Sequence, residues 1–367
     1  MDGVSSGTLY ATGFNAFGQL QTGPPPSRAV GDVTSFKKLA KGRILFTCWS
    51  TTAFVNENGQ ICSLGFQQIQ PITGTSAKCA VGNHDGMKGC LIDDRLYVVR
   101  GTPGSQQTLE SVQQNDSPRI ELLASAGNGR VAAVLRTERL TSSNPETQQN
   151  PCHVVEFHSF DDFLQWFESP VDRRDSWCQK HEVSGQPLRL EAGTGTFILL
   201  TEIHSQTQLF TWGDNRFRTL GRSPSEGSPA NRPGIVETLE EDIIIDVAAG
   251  GWMNAVVTAE GGLYMWGHKT EQDITEIYVS DLEGSGGDVV LVDLPNGPDD
   301  EPLRAAKVAL GINHAAVVAG DTLLVNGDNS NGQLGIGVVD GTDEWEVVDL
   351  VATDVWCGSK CTFAISD

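Results

Sequence analysis

Val308-Ala309-Leu310-Gly311-Ile312-Asn313-His314-Ala315-Ala316-Val317-Val318, followed by Gly327-Asp328-Asn329-Ser330-Asn331-Gly332-Gln333-Leu334, decides the fold, because both halves of it recur along the chain. In the first half a strand of small apolar residues runs into a glycine turn, where φ > 0 costs nothing, and a second apolar strand follows. This half returns as Val247-Ala248-Ala249-Gly250-Gly251-Trp252-Met253-Asn254-Ala255-Val256-Val257 and at the C-terminus as 355–365, with looser copies at 46–55, 80–92, 123–135 and 190–200. The second half returns as Gly13-Phe14-Asn15-Ala16-Phe17-Gly18-Gln19-Leu20 and Gly213-Asp214-Asn215-Arg216-Phe217-Arg218-Thr219-Leu220, each with Asn at the third place and Leu at the eighth. Self-similarity of this kind marks a repeat architecture. Short strands between turn signals mark an all-β sandwich, barrel or propeller.

One unit reads as three strands: a small-residue strand such as Val247-Ala248-Ala249, fit for a crowded axis, an apolar strand, and Leu263-Tyr264-Met265-Trp266 ending at Gly267. Small inner and large outer strands suit the wedge of a propeller blade. The chain opens on the late half of a unit, 9–20, and ends on the early half, 355–365. The two halves make one blade, and six internal units complete a seven-bladed β-propeller closed by its terminal strands. Closure covers the edges that an open sheet exposes. Residues 1–367 are therefore expected to form a single propeller with two insertions, about 138–187 and 270–303.

This pattern resembles the regulator of chromosome condensation repeat, whose units read roughly V-A-C-G-x-x-H-T-x-A-L, a turn, and W-G-x-N-x-x-G-Q-L-G. His314, Trp212-Gly213 and Trp266-Gly267 match it. The resemblance covers most of 9–367 and is specific in the last three repeats and the first half-repeat. Cys48-Trp49-Ser50-Thr51-Thr52-Ala53-Phe54-Val55, and the acidic loop ending in Asp293-Leu294-Pro295, resemble the small one-propeller members. Those include a chromatin-associated partner of a Jumonji-type protein and the fungal alpha-tubulin suppressor, which is linked to tRNA wobble-uridine modification and diphthamide synthesis.

Twenty-five basic residues stand against 47 acidic ones, a net charge of −22. A duplex-DNA binder shows a basic footprint, so no direct nucleic-acid contact is expected. The acidic surface serves solubility or a partner with a basic surface. No 18-residue apolar run offers a membrane span. The first eleven residues lack a basic n-region and an apolar core, so they do not read as a signal peptide. The eight cysteines contain no CxxC pair and read as packed, reduced thiols of a nuclear or cytosolic protein.

The first insertion holds Ser159-Phe160-Asp161-Asp162-Phe163-Leu164-Gln165-Trp166-Phe167, predicted to be a helix capped by Ser159, with Phe160, Phe163, Leu164 and Phe167 on one face. That face either packs on a blade or binds a partner. Cys152, His153, His158, Cys178 and His181 lie in the same insertion at a spacing foreign to known zinc fingers, so no metal is expected. The second insertion carries no Lys or Arg over 270–303. Its carboxylates, Asp281, Glu283, Asp299, Asp300 and Glu301 among them, form a solvated loop or a lure for a basic partner.

Nucleotide-binding, zinc-protease and serine-hydrolase motifs are missing from the sequence, so no catalytic residue and no cofactor are assigned. His314 belongs to the repeat and reads as a hydrogen-bonded turn residue rather than a base. The repeat does place one constellation. The second residue after each turn glycine should gather at one end of the axis, which brings together His84, Trp252, Asn313 and Lys360, with Trp49 one place earlier in its own turn. Aromatic anchors in such a mouth are typical binding hot spots, although Trp252 can equally cap the core. The expected function is a non-catalytic protein-interaction platform. Resemblance to the family's founding member offers the alternative of nucleotide exchange on a Ran-type small GTPase.

Overall fold

The computed structural model describes residues 7–23, 30–74, 76–112, 119–136, 152–169, 178–267, 288–297 and 300–366. Its strands pair into six sheets, five of them built around four consecutive antiparallel strands. The sixth, of seven strands, divides at the long strand Val33–Thr47. Residues 33–41 of that strand pair with Thr8–Gly13, and residues 42–47 pair with Thr51–Asn56. Counted this way, the strands make seven four-stranded units around an axis.

In ring order, blade I combines Asp354–Cys357, Cys361–Ser366, Thr8–Gly13 and 33–41. Blade II follows with 42–47, Thr51–Asn56, Gln60–Gly65 and Ile72–Thr73. Blade III is Ala77–Asn83, Gly86–Ile92, Arg95–Arg100 and Gln106–Ser111. Blade IV is Ile120–Ser125, Val131–Leu135, Cys152–Phe157 and Gln179–Val183. Blade V is Gln186–Ala192, Thr196–Ile203, Gln206–Gly213 and Gly234–Ile235. Blade VI is Ile244–Gly250, Met253–Thr258, Leu263–Gly267 and Val290–Val292. Blade VII is Ala305–Leu310, His314–Ala319, Thr322–Gly327 and Thr342–Val351.

The core is distributed between blades. Alternate side chains of a strand point to opposite faces, so each blade feeds two clusters. On His314–Ala319, Ala315, Val317 and Ala319 pack against blade VI, while Ala316 and Val318 pack against blade I. Seven such clusters link every neighbouring pair, from I–II round to VII–I. Blade I joins the chain ends, with Thr8 opposite Ser366 and Gly13 opposite Cys361.

The repeated Asn and Leu of the loop motif have one mechanical cause. The side-chain oxygens of Asn15, Asn215 and Asn329 accept the backbone N–H of Leu20, Leu220 and Leu334, at 2.9, 3.1 and 2.9 Å. Each leucine is buried. The turn inside each motif puts its sixth residue at positive φ: Gly18, Arg218 and Gly332. Arginine holds at 218 a left-handed conformation that glycine adopts freely at the other two.

The stretch read as a first insertion is narrower than expected. Cys152–Phe157 and Gln179–Val183 are the outer strands of blade IV, and Phe160–Glu168 is a helix between them. Ser159 caps it, accepting the N–H of Asp162 at 3.1 Å. Phe163, Trp166 and Phe167 are buried in the III–IV cluster, so this face packs on the ring. Likewise Val290–Val292, inside the second stretch, is the outer strand of blade VI. Of the acidic residues singled out there, Asp281, Glu283 and Asp299 lie outside the described residues. Asp300 and Glu301 are exposed, and Asp300 accepts a hydrogen bond from Asn296 at 3.0 Å.

Candidate functional site

Each inner strand turns into the second strand at the same end of the axis, and these turns hydrogen-bond to one another. The N–H groups of Gly127 and Asn128 donate to the carbonyls of Gly193 and Thr194, Thr194 donates to Gly251, and Ile312 donates to Ser359, at 2.8–3.2 Å. Between them Gly250 sits so close to blade VII that a Cβ would fall on the carbonyl oxygens of Leu310 and Gly311. Glycine is therefore required where the collar is tightest.

The loops after the third strands join the same face through a repeated bond. Phe66, Asp214, Asp328 and Phe14 donate their N–H to the carbonyls of Ser50, Gly195, Asn313 and Lys360, at 2.8–3.0 Å. Those acceptors occupy one register position, two places after the turn glycine. Asn313 and Lys360, singled out from sequence at this position, are two of these acceptors.

Two aromatic groups stand on this face. In the first, Phe14 lies 4.7 Å from Trp49 and 6.2 Å from Phe17, and Phe17 lies 6.2 Å from Phe66, ring centre to ring centre. Trp49 is 38% exposed and Phe66 46%, so the cluster faces solvent. The Lys360 ammonium lies 5.8 Å from the Trp49 ring, within cation–π range. In the second group, Trp252 packs at 4.6 Å on Phe217 and carries the Arg216 guanidinium 5.7 Å above its ring. Arg216 also grips Asp214 at 2.6 Å, and that hydrogen bond holds the Asp214 carboxyl below its usual range.

Of the five residues singled out from sequence, Trp49 and Lys360 meet in the first group and Trp252 belongs to the second. Asn313 is half-buried and contributes its backbone carbonyl. His84 projects into solvent on its own hairpin, 3.2 Å from Asp85. Sequence reasoning passed over Phe14, Phe17, Phe66, Arg216 and Phe217. The signal was present at the fifth place of the loop motif, which is Phe in two of the three copies, 17 and 217.

Elsewhere the titratable groups are structural. The Thr362 hydroxyl donates to the Gln333 carbonyl at 2.6 Å, so its oxygen accepts from His314 Nε2 at 3.0 Å, which fixes the neutral Nε2–H tautomer. Burial pushes the His314 pKa down to about 4. All eight cysteines are free, and burial pushes the thiols of Cys79, Cys90 and Cys152 up to about 12. Such thiols are poor nucleophiles. Cys152 packs in the IV–V cluster and Cys178 against the III–IV cluster, on opposite sides of blade IV. Among the described residues no three His, Cys, Asp or Glu side chains gather as a metal site. The inner strands line an axial channel of about 710 Å³. There Arg189 contacts Glu191 and Asp246, and Asp246 accepts the Val308 N–H at 2.9 Å. No helix among the described residues is long and apolar enough to cross a membrane.

An all-β ring with a hydrogen-bonded collar and exposed aromatics on one face defines a propeller with a candidate binding surface. Residues 207–257 match the model of the Regulator of chromosome condensation (RCC1) repeat, running from the third strand of blade V to the second of blade VI. The chain thus carries an RCC1 repeat over that stretch and is similar to proteins built from it. It is 24% identical over 273 residues to human RCC1 domain-containing protein 1, covering 71% of this chain and 61% of that one. It is 29% identical over 180 residues to the human E3 ubiquitin-protein ligase HERC2, covering 45% of this chain and 3% of the ligase. The chain thus spans less than two thirds of each of these curated relatives. Prp20p from Saccharomyces cerevisiae superposes with a TM-score of 0.66 at 15% identity, over 100% of this chain and 93% of that one, which supports the fold.

Proposed function

We propose that residues 1–367 form one propeller that acts as a non-catalytic protein-interaction platform, nuclear or cytosolic, and binds its partner over the collar face. The observation that carries this reading is the pair of aromatic groups on that face, Phe14–Trp49–Phe17–Phe66, in which Trp49 and Phe66 are exposed, and the half-buried Trp252–Phe217, each with a cation over its tryptophan. Solvent-facing Trp and Phe anchors beside Arg and Lys are the side chains from which interface hot spots are built. A net charge of −22 favours a partner with a basic surface. The Prp20p structure is described together with that protein's binding to Gsp1p and histones, and yeast RCC1 has been solved bound to Kap60. Likeness to them makes a small GTPase or a chromatin factor a reasonable first partner to test. The resemblance to the alpha-tubulin suppressor adds the tRNA-modification and diphthamide pathway.

The second reading, nucleotide exchange, rests on the likeness to Prp20p. One assay separates the two. Purified small GTPases loaded with fluorescent GDP are mixed with the chain at one-tenth of their concentration. The platform reading expects release at the intrinsic rate, and accelerated release at that ratio would establish exchange. In parallel, Trp49→Ala and Trp252→Ala should each weaken partner capture at least tenfold. Undiminished capture by both would remove the collar face from the account.

A further inference from the structure

The axial channel carries charges that its own walls do not balance. Each inner strand runs toward the collar, so its first residues stand at the opposite mouth. Lys307, Asp354, Arg43 and Lys78 lie within the first three residues of the inner strands of blades VII, I, II and III, and all four line the channel. These blades are neighbours around the axis. From the other side, blades V and VI contribute Arg189, Glu191 and Asp246. Four cations thus meet three carboxylates, in a chain whose 25 basic residues stand against 47 acidic ones.

Two of the cations are answered. Arg189 contacts Glu191 and Asp246, and Lys78 lies 2.6 Å from Asp94. Arg43 and Lys307 have no carboxylate within ion-pair distance among the described residues. The Arg43 guanidinium donates to the Ala77 carbonyl, which leaves most of its N–H groups without an acceptor among those residues. Burial pushes its pKa down, as for a cation drawn out of water with no counter-charge. Asp354 stands on the strand between the two, and burial pushes its carboxyl above the usual range although Lys307 pulls it back. Unpaired charge in a partly closed site costs stability, and low-dielectric walls focus its field on an incoming anion. The channel, about 710 Å³, has the size of a small-molecule site. Beside the cations its wall is apolar, with Leu45 and Phe46 of blade II and Trp356 of blade I half-buried.

We propose that this mouth of the channel binds a small organic anion, a phosphate or carboxylate carried on a flat apolar body. The Arg43 fork and the Lys307 ammonium take the anionic oxygens, and Phe46 and Trp356 flank the body. The site lies at the end of the axis opposite the collar. It is independent of the protein-interaction reading and stands or falls separately from it.

The test titrates the full chain with phenyl phosphate, benzoate and inorganic phosphate by calorimetry at low salt. Phenyl phosphate should bind and raise the melting temperature, and inorganic phosphate, which lacks the body, should bind at least tenfold more weakly. Arg43→Gln and Lys307→Gln should each weaken phenyl phosphate at least tenfold, and Asp354→Asn should tighten it at least threefold. Lys180→Gln makes the same charge change on the outer strand of blade IV and should leave binding unchanged. The change in tryptophan fluorescence on binding should vanish in Trp356→Phe. Benzoate binding as tightly as phenyl phosphate would assign the site to carboxylates as well, and weaker benzoate would assign it to phosphates; both uphold it. No binding of either aromatic probe would overturn the proposal. So would inorganic phosphate binding as tightly as phenyl phosphate, or equal weakening by Lys180→Gln and Lys307→Gln. If Arg43→Gln melts early, Lys307→Gln and Asp354→Asn decide, since their opposite effects on affinity are not produced by a loss of folding.

Discussion

Removing Phe363 tests the closure of the ring through its terminal strands. Phe363 is fully buried, lies opposite Ala11 across the junction of the chain ends, and packs with Leu9, Leu20 and Leu64 between blades I and II. A large-to-small change at such a site costs about 3–5 kcal/mol. Deleting 354–366 removes Val355, Phe363 and Ile365 together. At about 1.5–3 kcal/mol for each buried side chain, the loss is roughly 5–9 kcal/mol, close to the whole stability of a typical domain, about 5–15 kcal/mol. Urea unfolding followed by circular dichroism should therefore show Phe363→Ala shifted to a clearly lower midpoint, and the deletion lacking a cooperative transition. Leu9 and Ile365 face each other in register, so Leu9→Ala and Ile365→Ala should couple by about 0.5–3 kcal/mol in a double-mutant cycle. A deletion variant that unfolds at the wild-type midpoint, or strictly additive Leu9 and Ile365 variants, would refute closure by the termini.

Two further outcomes concern buried polar groups. The unfolded chain takes up the His314 proton near pH 6.5 and the folded chain only near pH 4. Its contribution is thus intact above pH 6.5 and falls as pH drops through that window, by about 3 kcal/mol in all at about 1.4 kcal/mol per unit. His314→Gln should flatten this part of the stability profile, and a slope equal to that of the wild type would show that His314 titrates normally. Asn326 is fully buried with no partner among the described residues for either amide atom, in the position that Trp212 and Trp266 fill in their blades. Asn326→Leu should stabilise the fold by about 1 kcal/mol, because an unsatisfied buried polar group costs about 1–3 kcal/mol. A lower melting temperature for Asn326→Leu would show that the amide is satisfied after all.

Much of the ring was legible because the repeat encodes local bonds. The Asn-to-Leu spacing is a side chain closing a loop on a backbone N–H five residues on, so it survives in sequence at 15, 215 and 329. Blade IV was harder to read. Its third strand, Cys152–Phe157, is held by packing against neighbours rather than by that motif, and was read as part of an insertion. Its helix and Ser159 cap were readable because both signals lie within nine residues. The collar face was half readable. Register named Trp49, Trp252 and Lys360, but the pairing of Trp49 with Phe14, and of Lys360 with Trp49, joins residues far apart in sequence that only the closed ring makes neighbours. His84 shares the register and stands outside both groups, exposed beside Asp85 on the turn between Ala77–Asn83 and Gly86–Ile92.

The collar face as the binding surface is tested most directly by amide hydrogen exchange on the chain alone and in the complex recovered by affinity capture. The account predicts slowed exchange in 13–20, 48–52, 65–67, 214–219 and 251–254, with the turns at the opposite end of the blades, 57–59, 204–205, 260–261 and 320–321, unchanged. Protection confined to those opposite turns, with the collar loops exchanging as freely as in the isolated chain, would contradict it.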